Sequence, residues 1–395
     1  MHGVVTSFGS IGDIHPLIAL AHELRKAGHD LTFALAPSFA SWVKRYGFAC
    51  ISMGSDLSET QRNIMRIMSQ EDFSFSAMQP LLDPYIQDMP RMFEALEDAC
   101  KDADFLISVS TFPVARMIYE ATNIPFICVD LESVHGGPNS FTAPLERQIA
   151  TLINPFRQRL QLPPVEYPLS LDAYSPDLTL FATSRQIMSP SKAWPANAHI
   201  TGFFFLDEDN WVPDQSLIDF LAVGEPPLMI NFGSTAHADT QRLAELVFEV
   251  IERTGSRAIV QQGWTNLVRG QQLPPNIYGV GFISHSWLLP QVSCLICHGG
   301  TQTSASAFRH GVPLICVPHT WEHLPSTLFV KGFGAGLVVP YHQLNVDNLS
   351  AAVREIVGNP SYRESVSVLK EKIRAEKGLE RAVELVNAFL TSIYD

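Results

Sequence analysis

Ser7-Phe8-Gly9-Ser10 closes one short apolar run, and Asn231-Phe232-Gly233-Ser234 closes a second of the same kind, Leu228 to Phe232. Recurrence of one turn in both halves of the chain decides the fold. Around the first copy, Val4 to Phe8 leads into a helical pattern across Leu17 to Lys26 and then a run from Leu31 to Leu35. This is strand, glycine turn, helix, strand. Leu17, Leu20, Ala21 and Leu24 recur at helical spacing, Pro16 suits a first-turn position and Gly28 the residue past the helix end. Candidate strands follow at Phe105 to Val109, Phe126 to Val129 and Leu178 to Ala182. Beyond the second copy come a helix from Thr240 to Arg253 and strands at Ala258 to Gln261, Ile277 to Val280, Cys294 to Cys297 and Pro313 to Val317. Alternation of this kind specifies parallel sheets, and the restart near residue 225 specifies two of them. The polar, proline-containing stretch Leu206 to Asp214 reads as the linker.

With 395 residues, 46% apolar and 17% charged, the chain is long enough for two domains that bury their own cores. Its 40 acidic and 27 basic side chains leave a net charge of -13, with no local basic cluster. That balance repels phosphate backbones and anionic lipid, so nucleic acid and membrane faces are excluded as main partners. No apolar run reaches the roughly 18–20 residues of a membrane span, and Met1 to Ser10 has no charged leader pattern. A soluble, cytoplasmic protein is the expectation. The six cysteines (Cys50, Cys100, Cys128, Cys294, Cys297, Cys316) lie mostly in or beside apolar segments, as buried thiols of a reducing compartment do. Met65, Met68, Met78, Met89 and Met92, interspersed with Phe73, Phe75 and Tyr85, suit either a helical layer on the sheet or an adaptable apolar pocket.

The sharpest chemistry lies in His298-Gly299-Gly300-Thr301-Gln302-Thr303-Ser304, directly after the strand ending at Cys297. A strand entering a glycine turn and then a helix presents free main-chain N–H groups and a positive dipole end, which is a phosphate site. His298 can add a hydrogen bond and Thr303 a hydroxyl. Two other strings carry no such weight. Cys294-Leu295-Ile296-Cys297-His298 matches a haem-attachment pattern, yet residues three apart on a strand point to opposite faces. Asp207-Glu208-Asp209 matches a metal-binding string but falls in the linker, as a solvated charge run. No metal is expected.

The run from His298 through Gly311-Val312-Pro313 to Pro318-His319-Thr320-Trp321-Glu322-His323 resembles the nucleotide-sugar signature of family 1 glycosyltransferases. That signature reads His-x-Gly-x-x-Ser/Thr, then Gly-Val-Pro, then Pro-x-x-x-Asp/Glu-Gln/His. Gly12-Asp13-Ile14-His15-Pro16 is similar to the family's opening loop. Trp211-Val212-Pro213, Phe232-Gly233-Ser234, Gly263-Trp264 and His285-Ser286-Trp287-Leu288-Leu289-Pro290 are similar to its later landmarks, most closely in the bacterial natural-product and sterol or lipid branch.

The resemblance implies the α/β GT-B fold: two Rossmann-like domains with parallel sheets facing a central cleft. It implies an acceptor domain at 1–205, a linker at 206–222, a nucleotide-sugar domain at 223–376 and a last helix at 377–395 returning to the first domain. His298, Gly300 and Thr303 would hold the diphosphate with Ser234. Gly9, Ser10, Gly12, Gly233, Gly299, Thr301 and Gln302, on the two glycine turns and the helix start, would be further nucleotide or diphosphate ligands. Ile283, Ser284, His285 and Trp287 would lie by the base, with Trp264 a further contact. Trp321, Glu322 and His323 would face the sugar. The Glu-His pair departs from the usual Asp-Gln, which leaves the hexose open, and Ser306 stands where some relatives carry a ribose-binding glutamate, which leaves UDP against dTDP open.

Asp13 falls where many relatives place a catalytic histidine and some an aspartate. As general base it would deprotonate the acceptor hydroxyl; an aspartate on a glycine turn can equally be a helix cap. His15 is the competing base, and Ser108, Ser110 and Thr111 are candidate partners. The expectation is an inverting, metal-independent glycosyltransferase that moves a hexose from a UDP- or dTDP-sugar, its co-substrate, to a small lipophilic acceptor. A nucleotide-sugar epimerase or hydrolase, or a non-catalytic nucleotide-sugar-binding protein, is the alternative.

Overall fold

A computed structural model describes residues 1–68, 75–131, 137–138, 140, 142–208, 211–233, 240–262, 272–320 and 323–394. Contacts divide the chain into two units, Met1–Ile64 with Ser74–Leu206 and Glu376–Asp395, and Met65–Phe73 with Asp207–Ala375.

The first unit runs β1 (His2–Thr6), α1 (Ile11–Lys26), β2 (Asp30–Leu35), α2 (Ala40–Arg45), β3 (Ala49–Ser52), α3 (beginning at Ser58 and ending at Met68) and α4 (Phe75–Cys100). It continues with β4 (Phe105–Val109), α5 (Pro113–Thr122), β5 (Phe126–Asp130), α6 (Ala143–Arg159), β6 (Leu178–Phe181) and β7 (Ala198–Ile200). Among the described residues its strands form one parallel sheet in the order β3-β2-β1-β4-β5-β6-β7. Val4, Val5, Phe105, Leu106, Ile107 and Ile127 are buried on both faces, as a sheet covered by helices on each side requires.

The second unit contains α7 (Gln215–Leu221), β8 (Leu228–Asn231), α8 (Thr240–Thr254), β9 (Ala258–Gln261), β10 (Ile277–Val280), α9 (His285–Leu288) and β11 (Cys294–Cys297). Then come α10 (Thr301–His310), β12 (Leu314–Cys316), α11 (Leu324–Gly332), β13 (Gly336–Val338), α12 (Val346–Gly358) and α13 (Ser361–Ala375). Its parallel sheet has the order β10-β9-β8-β11-β12-β13. Leu228, Ile230 and Phe232 alternate onto one face, where they share a core with Leu243, Val247 and Ile251 of α8 and Leu349 and Val353 of α12. The last helix, α14 (Gly378–Tyr394), groups with the first unit. There His29 Nε2 meets Asn387 Oδ1 at 2.8 Å and Tyr394 donates to the Asp104 carbonyl at 2.7 Å.

Both units are Rossmann-like, and each reverses strand order once, between β1 and β4 and between β8 and β11. Such switch points open a crevice beyond the carboxyl ends of the strands. The repeated Phe-Gly turns sit there, after β1 and after β8. Ser234 itself lies outside the described residues, as do Asp209, Trp264, Trp321, Glu322 and Phe73. The side chains of Met65, Met68, Phe75 and Met78 also lie outside those described.

Three readings change. The first helix opens at Ile11, so Pro16 is an interior residue rather than a first-turn one. A capping box at Ser10 and Asp13 starts the helix inside the glycine turn, and Pro16 forfeits only the bond to the exposed Gly12 carbonyl. Asp207 is not simply solvated: the Arg309 fork holds both its oxygens, at 2.6 and 2.8 Å. The stretch read as a linker at 206–222 ends in α7, which is pinned by Ser216 Oγ to Tyr278 Oη at 2.7 Å.

Candidate active site

In the first unit the glycine turn after β1 closes on itself. Asp13 Oδ2 accepts from the Ser10 N–H at 2.6 Å and the Ser10 hydroxyl at 3.1 Å, while Ser10 Oγ accepts from the Gly12 N–H at 3.1 Å. Ser10 is therefore the N-cap, and Asp13 is the returning acid of the box rather than the cap itself. Both bonds fall on Oδ2; Oδ1 carries none among the described hydrogen bonds. Burial raises the Asp13 pKa above the usual carboxylate range, and the Ser10 N–H and hydroxyl pull against that rise. Ser10 and Gly12, read as diphosphate ligands, thus have N–H groups already engaged, and Gly9 lies under a carboxylate.

Gly9 is required here. Its φ is +145°, and a β-carbon would stand 2.3 Å from Asp13 Oδ2. Gly9→Ala is expected to lower stability by about 1–3 kcal/mol through backbone strain and displacement of the acid. An unchanged urea midpoint would contradict that close approach.

His15, two residues on and so on another side of α1, stacks on Trp42 at 5.3 Å and meets Tyr46 edge-on at 6.3 Å. Its ring belongs to an aromatic cluster with α2. Ser108 Oγ is spent on the Val109 carbonyl at 3.2 Å, and Ser110 Oγ is buried without a hydrogen-bond partner. Beside the Gly9 turn is a recess lined by Phe8, Phe39, Met53, Leu57, Tyr85 and Met92, with Ser7, Ser55, Ser58 and Gln61 among its polar members. Phe8 is fixed edge-on to Tyr85 at 4.5 Å and stacked on Phe112 at 5.7 Å. Tyr85 and Met92 come from α4, so the methionine-rich region supplies both a helical layer and a pocket wall.

In the second unit the corresponding turn after β11 is open. Gly300 is the N-cap of α10 and has no side chain to close the helix end. The first intrahelical bond is Ser304 N–H to the Gly300 carbonyl, so the N–H groups of Thr301, Gln302 and Thr303 have no helical acceptor. Gln302 Nε2, a second donor on that first turn, is buried without a hydrogen-bond partner.

His298 is held between two glycines. A β-carbon on Gly233 would lie 2.6 Å from its Cε1, and one on Gly300 would lie 2.4 Å from its Nε2. Burial pulls its pKa down to about 4, so the imidazole is neutral at pH 7. His323 packs edge-on against it, 4.7 Å between centroids. Its Nδ1 faces the His319 N–H at 3.4 Å, the Thr320 N–H at 3.3 Å and the Thr320 hydroxyl at 3.2 Å. A nitrogen that accepts from N–H groups cannot carry a proton, so the His323 proton sits on Nε2. Burial, then His298, lowers the His323 pKa.

Behind this pair, Asn231 Oδ1 accepts from the Gly233 N–H at 2.7 Å and shapes the β8 turn. His285, at about 4 through burial, lies 3.2 Å from Gln261 Oε1 and 3.4 Å from Asn231 Nδ2. Sequence reading singled out neither Asn231 nor Gln261; each is the last residue of its strand, which is the signal that could have found them. Ser284 Oγ pairs with Ser286 Oγ at 2.9 Å, Ile283 is buried, and Trp287 packs on Trp211 at 5.1 Å. Cys297 faces Cys316 across β11 and β12, while Cys294 points to the other face of the sheet. Among the described residues no group of three or more His, Cys, Asp or Glu side chains could hold a metal, and no helix is long and apolar enough to cross a membrane.

Residues 245–387 match the family model "Erythromycin biosynthesis protein CIII-like, C-terminal domain". The sterol 3-beta-glucosyltransferase of Komagataella phaffii is 24% identical over 96% of this chain, which spans 34% of that longer protein. The O-mycaminosyltylonolide 6-deoxyallosyltransferase of Streptomyces fradiae is 27% identical over 98% of this chain and 97% of its own. Among solved structures, the glycotransferase of kitacinnamycin superposes with a TM-score of 0.78 at 21% identity, covering 98% of this chain and 99% of that one. Glycosyltransferase VinC in complex with dTDP gives 0.70 at 20% identity, with 98% and 99% covered. The chain has the GT-B fold and is related in sequence to bacterial natural-product and to sterol glycosyltransferases.

Proposed function

We propose that the protein transfers a hexose from a nucleoside diphosphate sugar to a hydroxyl of a small lipophilic acceptor, with inversion and without a metal ion. The observation that carries this reading is the contrast between its two glycine turns. The first is capped by Ser10 and the carboxylate of Asp13, which repels an anion; the second leaves the N-terminus of α10 open beside His298. A diphosphate therefore belongs to the second unit and a proton acceptor to the first. Bound there, the diphosphate receives the N–H groups of residues 301–303, a hydrogen bond from His298 and the Thr303 hydroxyl. These neutral donors meet the charge that develops as the bond from the anomeric carbon to the diphosphate breaks. Asp13 Oδ1 takes the acceptor proton as the new carbon–oxygen bond forms.

The apolar recess beside Gly9 supports a lipophilic acceptor. Solved VinC carries dTDP and the matched sterol enzymes are glucosyltransferases, so UDP- and dTDP-hexoses are the donors to test. Paired libraries of both donor classes and lipophilic alcohols, read by mass spectrometry, are expected to give a hexosylated acceptor. Donor consumption with no acceptor product would favour a hydrolase or epimerase instead, and binding without any turnover an auxiliary protein.

A further inference from the structure

Ser7 stands at the carboxyl end of β1, at the strand-order switch of the first unit, and lines the recess with Gly9, Met53, Tyr85 and Met92. It is 4% exposed, and its Oγ has no hydrogen-bond partner. Its neighbours are satisfied. Thr6 Oγ1 donates to the Ala34 carbonyl at 2.7 Å, Ser55 Oγ to Asp88 Oδ1 at 2.9 Å, and Ser58 Oγ to Asp56. A buried hydroxyl left unpaired among Phe8, Met53 and Met92 is a standing cost to the fold, and chains keep such groups where something else pairs with them.

We infer that Ser7 is a specificity-determining contact for the acceptor, its hydroxyl hydrogen-bonding a polar group other than the one that attacks. The inference rests on the reading of this recess as the acceptor site. Asp13 serves the attacking hydroxyl in that reading, and its own hydrogen bonds run to Ser10 rather than Ser7. The recess then selects amphipathic acceptors: an apolar frame carrying two separated hydrogen-bonding groups.

Calorimetry with a naphthol and the naphthalenediol bearing a second hydroxyl on the far ring tests this without turnover. The diol is expected to bind the wild-type protein about tenfold more tightly, the worth of one net hydrogen bond. In Ser7→Ala that preference should shrink to within about twofold, with naphthol affinity unchanged and the melting temperature unchanged or raised, since no native hydrogen bond is lost. A diol preference that survives Ser7→Ala, or is absent from the wild type, or no binding of either compound, would overturn the assignment. Because binding is read directly, failure of glycosyl transfer would overturn the proposed activity and leave this result standing.

Discussion

Asp13→Asn is expected to keep the fold and the donor affinity while lowering the rate of transfer by about 10²–10⁴-fold, the usual contribution of a placed general base. An asparagine oxygen can still accept from the Ser10 N–H, so most of the capping box survives. What the amide cannot do is take a proton. In the proposed reading the acid has two separate duties, capping through Oδ2, which holds the Ser10 N–H and hydroxyl, and taking the acceptor proton through Oδ1. His15 is a poor substitute, since its ring is stacked on Trp42. Burial raises the Asp13 pKa, so transfer should fall as pH drops through that raised value, because the protonated acid is no base. Single-turnover rates of the variant over a range of pH check both statements. Near-normal transfer by Asp13→Asn would move the role elsewhere.

Gly300→Ala should weaken binding of UDP or dTDP by about 10–100-fold, although it adds one methyl group to a residue whose φ of -59° and ψ of 140° suit alanine. The reason is local. The new β-carbon would lie 2.4 Å from His298 Nε2, so the ring must leave the position between Gly233 and Gly300. A hydrogen bond to a charged group is worth roughly 1.5–3 kcal/mol, which sets the size of the loss. His298→Ala should lose a similar amount. In the His298→Ala background, Gly300→Ala should cost almost nothing, because the ring it displaces is gone. Calorimetry on the two single variants and the double variant measures that coupling; simply additive losses would show that the glycine acts in some other way.

Much of this was legible in the sequence because the decisive signals are local. The runs Phe105–Val109, Ala258–Gln261 and Cys294–Cys297 coincide with β4, β9 and β11, since central parallel strands are continuous apolar segments between turn residues, and Ile277–Val280 coincides with β10 at the edge of its sheet. The other edge strands, β3, β7 and β13, gave no such signal. They are three or four residues long, and β3 is mostly exposed. The His298 turn was readable from its glycines, but the reason those glycines are needed was not. The contact joins Gly233 to a ring far along the chain, across neighbouring strands β8 and β11. The proton position on His323 was equally hidden, because main-chain N–H groups fix it. Nor could spacing show that the first turn is capped and the second open, since Ser10 acts through the conformation of Asp13.

In the proposed reaction the sugar passes from the diphosphate to an acceptor oxygen by direct displacement at the anomeric carbon. The most direct measurement is the anomeric configuration of the product, by proton NMR, from an α-linked UDP- or dTDP-hexose and a lipophilic alcohol with a chelator present. A β-linked product whose formation requires Asp13 is the predicted result. An α-linked product, or free sugar released while the acceptor stays unmodified, would contradict it.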